Sequence, residues 1–341
     1  MSDGEDGADA PHPRDTTALF GHETAENALL EAYRSGRFAH AWLIGGPPGI
    51  GKATLAYRMA RFVLAHPDAT APAVRRATSL AVAADHPVSR KIAAQGHPDL
   101  LVLERGRSDS GALRSTIAVD DVRRTVGFFG ATAGEGGWRV CLVDAVDDLN
   151  AAGANALLKI LEDPPGRALF LLISHAPGRV LPTIRSRCRR LMLRPLEERA
   201  LAQALAAAGQ APEEELAEIA AFADGSVARA LSLADAGARA MRRQVGEALE
   251  KLPAVDPLAL HRVGDALGRG DDAAYEAFIG TVRDWLSQQL HAPPAEPARL
   301  ARVAEVWEKV NRAAREAEVF NLERKPLVFA VFGHLAEAVR R

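Results

Sequence analysis

The sequence predicts an α/β fold, a parallel sheet with helices on both faces, followed by an all-helical C-terminal part. Three observations carry this reading. Short apolar runs at 41–44, 100–103, 139–143, 168–173 and 188–193 read as buried strands, most of them separated by helical stretches. Beyond Pro195 the chain turns Ala- and Leu-rich with helical spacing and no convincing strand. Between the first strand and the helix after it lies a Gly-rich turn, the setting of a phosphate-binding loop.

Each element follows in order. Residues 1–18 lack apolar periodicity and are expected to form a disordered tail. A helix is expected over 24–35, with Ala28, Leu29 and Ala32 on one side. The strand 41–44 leads through the Gly/Pro turn into a helix over 53–65, whose Leu55, Met59 and Phe62 share a face. In the C-terminal part, one helix carries the stripe Tyr275, Phe278, Ile279, Val282, Trp285 and Leu286. Another carries Leu300, Val303, Trp307, Val310 and Ala314. These stripes read as a bundle core, with packing against neighbouring subunits as the alternative. A Pro-rich connection, 292–297, separates them.

Composition limits the function classes. At 341 residues, two or three domains are expected. Lys plus Arg number 42 and Asp plus Glu 44, a net charge of −2, which excludes a uniformly basic surface but not a local basic patch. Two cysteines, Cys141 and Cys188, cannot form a disulfide framework or a four-cysteine zinc site. No apolar run approaches the ~18 residues of a membrane span. The acidic, Gly-rich start is unlike a secretory signal, so a cytoplasmic location and no membrane partner are expected.

Gly46 through Lys52 fit the spacing G-x-x-x-x-G-K. Gly46, Gly49 and Gly51 let backbone N–H groups close on phosphate oxygens, the helix start adds positive potential, and Lys52 supplies a point charge. The next position calls for a hydroxyl to hold magnesium, and here it is Ala53. Thr54 lies one residue on, turned by roughly 100° around the helix, and is a poor substitute.

The strand 140–143 ends in Asp144, a Walker B pattern whose acid holds magnesium. The residue that would polarise the attacking water is Ala145, and losing such a base costs about 10²–10⁴ in rate. Asp147 and Asp148 follow and read as solvated or capping acids. The loop therefore keeps a phosphate cradle but lacks both a metal hydroxyl and a base. ATP or ADP is expected to be held weakly or not at all, and not turned over.

Residues 151–165, Ala-Ala-Gly-Ala-Asn-Ala-Leu-Leu-Lys-Ile-Leu-Glu-Asp-Pro-Pro, closely resemble a signature of clamp-loader AAA+ subunits. Ser186-Arg187-Cys188 resembles a Ser-Arg-Cys motif of the same family, and Leu19-Phe20-Gly21-His22-Glu23 with Phe38-Ala39-His40 resembles its start. The likeness covers most of 19–195. It implies a RecA-like AAA+ parallel-sheet domain over 19–195, a small helical lid over 196–244 and a helical collar for oligomerisation over 245–341. Within the family, Ala53 and Ala145 point to a subunit that does not hydrolyse ATP. The partners implied are gamma/tau and delta subunits, a sliding clamp met weakly or indirectly, and primed DNA.

By the same resemblance, Arg187 is an arginine finger acting in trans on a neighbour's nucleotide, with a surface ion pair as the bland alternative. Arg185 or Arg189, in the basic run with Arg190 and Arg194, could instead face DNA phosphates. Ser174 falls at the sensor-1 position, Arg229 near the sensor-2 arginine, and Asn155 at the start of the helix after Walker B; their roles stay open. Many relatives carry a four-cysteine zinc module where this chain, over 66–98, has no cysteine, and histidines such as His86 and His97 have no thiolate partners there, so no zinc is expected. Cys141 reads as core, and Cys188 lacks a matched histidine for nucleophilic work. The competing function is a catalytically active AAA+ ATPase, of gamma/tau type or a homo-oligomer, rescued by Asp147 or Thr54. A P-loop small-molecule kinase is disfavoured, because Ser-Arg-Cys and the helical tail have no purpose there.

Overall fold

Strands β1 (Ala41–Gly45), β2 (Leu100–Glu104), β3 (Arg139–Asp144), β4 (Ala168–Ser174) and β5 (Arg189–Met192) form one parallel sheet in the order β2-β3-β4-β1-β5. The computed structural model describes residues 12–106, 114–131, 133–134, 137–209, 215–268, 272–291, 296–319 and 322–339. All five expected strands form, each within one residue of its expected ends. β4 is buried at every position. Its Leu169, Leu171 and Ile173 pack with Leu29, Leu55 and Phe62 on one face, and its Phe170 and Leu172 pack with Val122, Leu157 and Leu161 on the other. A strand covered on both faces has no polar side to show, so its sequence is a continuous apolar run.

The first face is covered by α1 (Glu23–Arg34) and α2 (Lys52–Ala65), the second by α5 (Val119–Gly130) and α6 (Ala151–Glu162). Between α2 and β2 lie two short helices, α3 (Pro72–Arg76) and α4 (Pro87–Ala93), each with proline in its first turn. α7 (Pro182–Arg185) is a single turn between β4 and β5, and α8 (Glu198–Ala208), α9 (Leu216–Phe222) and α10 (Val227–Ala234) follow the sheet. This is the α/β arrangement expected from the sequence, a parallel sheet with helices on both faces.

The chain parts into two compact units, one holding residues up to 106 with 114–230, the other residues from 231 on. The stretch 196–230, the first part of the expected lid, belongs to the sheet-bearing unit. The second unit contains α11 (Ala236–Leu249), α12 (Pro257–Ala266), α13 (Asp272–His291), α14 (Pro297–Val319) and α15 (Arg324–Val339). Phe278, Val282 and Leu286 of α13 share its core with Val303, Val310 and Ala314 of α14 and with Val328, Val331 and Phe332 of α15. Every member of the two stripes singled out in the sequence except Leu300 therefore packs into or against the unit's own interior. Residues 292–295 of the Pro-rich connection lie outside the described residues. No helix among the described residues is long and apolar enough to cross a membrane.

The expected tail needs correcting over 12–18; residues 1–11 lie outside the described residues. Arg61 of α2, only 2% exposed, donates from Nη1 to Thr16 O at 2.8 Å and from Nη2 to Arg14 O. Arg58 donates to Thr17 O and pairs with Glu26 at 2.5 Å. The segment is fixed through its carbonyls, which is why it shows no apolar periodicity.

Candidate phosphate-loop site

The register of the sheet aligns the ends of four strands in two pairs. Gly45 pairs with Ser174, and Asp144 pairs with Glu104. The loop that follows β1 begins with Gly46, whose N–H donates to Ser174 O at 3.2 Å. Its φ is +150°, and a Cβ there would lie 2.6 Å from Leu193 O, so only glycine fits. Lys52 opens α2 and is buried at 3% exposure. Its Nζ donates to Gly46 O at 2.8 Å and to Pro47 O at 2.5 Å. Burial pulls its ammonium down to about 8, against the opposing pull of Asp144 and Asp147.

The tip of the loop is closed from outside. Ser226 Oγ donates to Pro48 O at 3.4 Å, Ala228 N to Gly49 O at 3.2 Å, and His22 Nε2 lies 2.6 Å from Ile50 O. A carbonyl only accepts, so His22 carries its proton on Nε2. Three consecutive carbonyls are thus held by α1's N-cap residue and by the entry to α10. Gly51, left-handed at φ +97°, precedes Lys52 as the N-cap of α2.

Asp144 stands at the end of β3. Burial first, then the neighbouring Glu104 carboxylate, pushes it up to about 6, while Lys52 opposes. Ala145 beside it is buried and offers no base. Ala53 and Thr54 lie half-buried in the first turn of α2. Asp147, in a 3-10 turn over Val146–Asp148, accepts from Ser174 Oγ at 2.9 Å, His175 N at 2.6 Å and Ala176 N at 3.2 Å. It is a capping acid, one of its two expected roles. Ser174 is fully buried and its hydroxyl is directed to Asp147. Asp148 pairs with Arg105 at 3.1 Å.

Pro182 opens α7, and Ser186, Arg187 and Cys188 follow it into β5. Arg187 donates from Nη1 to Thr183 O at 2.9 Å and from Nη2 to Glu162 Oε1 at 2.7 Å. Arg185 Nη1 reaches Pro177 O and Gly178 O, each at 3.3 Å, and the Arg189 guanidinium lies 4.9 Å over the Trp42 ring. Arg190 and Arg194 are exposed. The basic run, Arg187 included, is therefore divided among four environments. Burial pushes the Cys188 thiol up to about 12 and the Cys141 thiol higher still, so neither is a ready nucleophile.

Arg229 pairs with Asp224 at 3.0 Å. Asn155 is exposed on α6 and, with Leu181 and Ile184, lines a concavity of about 670 Å³. His86 caps α4, its Nδ1 accepting from Val88 N at 3.2 Å, and His97 Nδ1 accepts from Asp99 N at 3.2 Å. Reading the sequence did not foresee Glu162 as the partner of Arg187, nor His22 at the loop. Both stood inside motifs already singled out, but no spacing pairs them with their partners.

A family model described as DNA polymerase III, delta subunit, matches residues 21–197, just over half of the chain. The chain belongs to this family. The matched stretch contains the phosphate loop, the strand ending in Asp144 and Ser186-Arg187-Cys188. A DNA polymerase III subunit delta′ of Pseudomonas aeruginosa is 39% identical over 215 residues, 63% of this chain and 61% of that one. The subunit delta′ of Escherichia coli is 34% identical over 172 residues, 50% and 47% of the two chains. A gamma/tau subunit of Mycobacterium bovis is 31% identical over 282 residues, 80% of this chain and 46% of the relative. The chain spans less than two thirds of the length of each. The first two of these relatives carry the delta-prime name and the third the gamma/tau name.

Proposed function

We propose that this chain is a delta-prime-type clamp-loader subunit that does not hydrolyse ATP and that lends Arg187 to nucleotide bound by a neighbouring gamma/tau-type subunit. In this role it acts with gamma/tau and delta subunits to place a sliding clamp on primed DNA. The observation that carries the proposal is the state of Asp147. Apart from Asp144, the acid assigned to magnesium, it is the acid closest in sequence to the position of the missing base, and it is tied to Ser174, His175 and Ala176. It is thus poorly placed to stand in for a general base at Ala145.

The loop residues fit phosphate better than they fit catalysis. Gly46, Gly49, Gly51 and Lys52 would hold an anion, with Thr54 and Asp144 at the margin, but Ala53 offers no hydroxyl to magnesium. The carbonyl bonds to His22, Ser226 and Ala228 make the loop tip costly to rearrange, which supports weak nucleotide binding or none. Arg187, partly exposed and held by an exchangeable carboxylate, has the form of a trans donor. In other systems such an arginine is worth about 10³–10⁵ in rate.

The gamma/tau likeness over 80% of the chain favours one second reading, an active ATPase. Steady-state phosphate release by the pure chain separates the two. Release at background, unchanged by Lys52→Ala, is expected; brisk release that Lys52→Ala abolishes establishes the ATPase instead.

A further inference from the structure

We propose that Glu162 is a positioning residue for Arg187, holding the guanidinium aimed outward until a phosphate replaces the carboxylate. The inference rests on reading Arg187 as a donor in trans. Glu162 is the last residue of α6 and Arg187 lies just beyond α7, so two elements converge on one ion pair. The Nη2–Oε1 distance is 2.7 Å, and Nη1 is held by Thr183 O at 2.9 Å. Both contacts engage Nη atoms, and neither involves Nε–H.

The other arginines of the run are held differently. Arg185 is bound to two loop carbonyls, and Arg189 lies over an aromatic ring. Among these three, Arg187 is the one whose side chain is held by an acid, a partner that an incoming phosphate can displace. The side chains are 34% and 53% exposed, so the pair is weak enough to exchange. A long free arginine would sample many rotamers, and holding one of them in advance removes part of the ordering cost when phosphate arrives.

The test uses the reconstituted assembly with Glu162→Ala, Glu162→Gln, Arg187→Ala and the Glu162→Ala/Arg187→Ala double variant. Glu162→Ala is expected to lower kcat for ATP about two- to fivefold, the range of an exposed ion pair, with KM and complex formation unchanged. Glu162→Gln, which keeps an acceptor oxygen, is expected to restore most of the loss. In the Arg187→Ala background, Glu162→Ala is expected to change nothing further. Unchanged or raised turnover in Glu162→Ala, or an equal loss without Arg187, overturns the proposal while leaving the trans role of Arg187 standing. Full turnover in Arg187→Ala overturns both. If Glu162→Ala does not fold, Glu162→Lys takes its place with a larger expected loss. In the lone chain, NMR is expected to show faster rotation of the Arg187 guanidinium in the variant, and unchanged rotation overturns the proposal.

Discussion

Ser226 Oγ occupies the place where a Cβ on Gly49 would stand, 2.3 Å from it. The tip of the phosphate loop and the entry to α10 are packed without room for one more methyl group, and Ala228 Cβ crowds the same point at 2.9 Å. Gly49 is also left-handed, at φ +75°. Gly49→Ala is therefore expected to destabilise the chain by about 1–3 kcal/mol. Ser226→Ala should relieve part of that loss. Urea midpoints of the single and double variants check this; equal midpoints for wild type and Gly49→Ala mean the loop tip is open.

Asp144 gives the stability a pH signature. Its carboxyl is raised from 3.8 to about 6. Between those values the folded chain binds more protons than the unfolded one, so unfolding free energy falls as pH rises from about 4 to 6. The change is roughly 2–3 kcal/mol, and Asp144→Asn is expected to flatten it. Lys52, lowered from 10.5 to about 8, acts at the other end. There the unfolded chain binds the extra proton, so stability rises with pH across that window. Denaturation curves from pH 4 to 10 test both slopes. A flat profile for the wild-type chain contradicts the buried placement of these charges.

Asp147 is expected to matter for order rather than for chemistry. Asp147→Ala strands the buried Ser174 hydroxyl and two backbone donors, at a cost of about 1–3 kcal/mol. Hydrogen exchange at His175 and Ala176 should speed up, with no change in the ATP turnover of the lone chain. Lone-chain turnover above background that Asp147→Ala abolishes instead makes Asp147 a catalytic acid or base.

Removing residues through Thr17 is expected to destabilise the chain strongly. The guanidinium of Arg61 would stay buried without its acceptors at Arg14 and Thr16, a loss of about 3–5 kcal/mol. The thermal midpoint of the truncated chain reads this out. A midpoint equal to that of the full chain would restore the disordered-tail reading for 12–18.

What the sequence could show follows from how each element is held. β4, Ala-Leu-Phe-Leu-Leu-Ile-Ser, is apolar throughout because helices cover both its faces. The stripes of α13 and α14 were visible because a helix buried on one side repeats every three or four residues. The cradle was visible because glycine spacing is local. The pairs that give the site its character are not local. Arg187 and Glu162 lie 25 residues apart, and Ser226 and Pro48 lie 178 apart. Segment 12–18 is fixed by its carbonyls, which every residue has, so its side-chain pattern could not reveal it. α3 and α4, of five and seven residues, are too short to show a period.

The central claim is that this chain contributes an arginine to another subunit's nucleotide. The most direct measurement is the ATP turnover of the reconstituted assembly with wild-type chain and with Arg187→Ala. The account predicts an intact complex whose turnover collapses in the variant. An intact complex that turns over ATP at the wild-type rate without the guanidinium of Arg187 contradicts it.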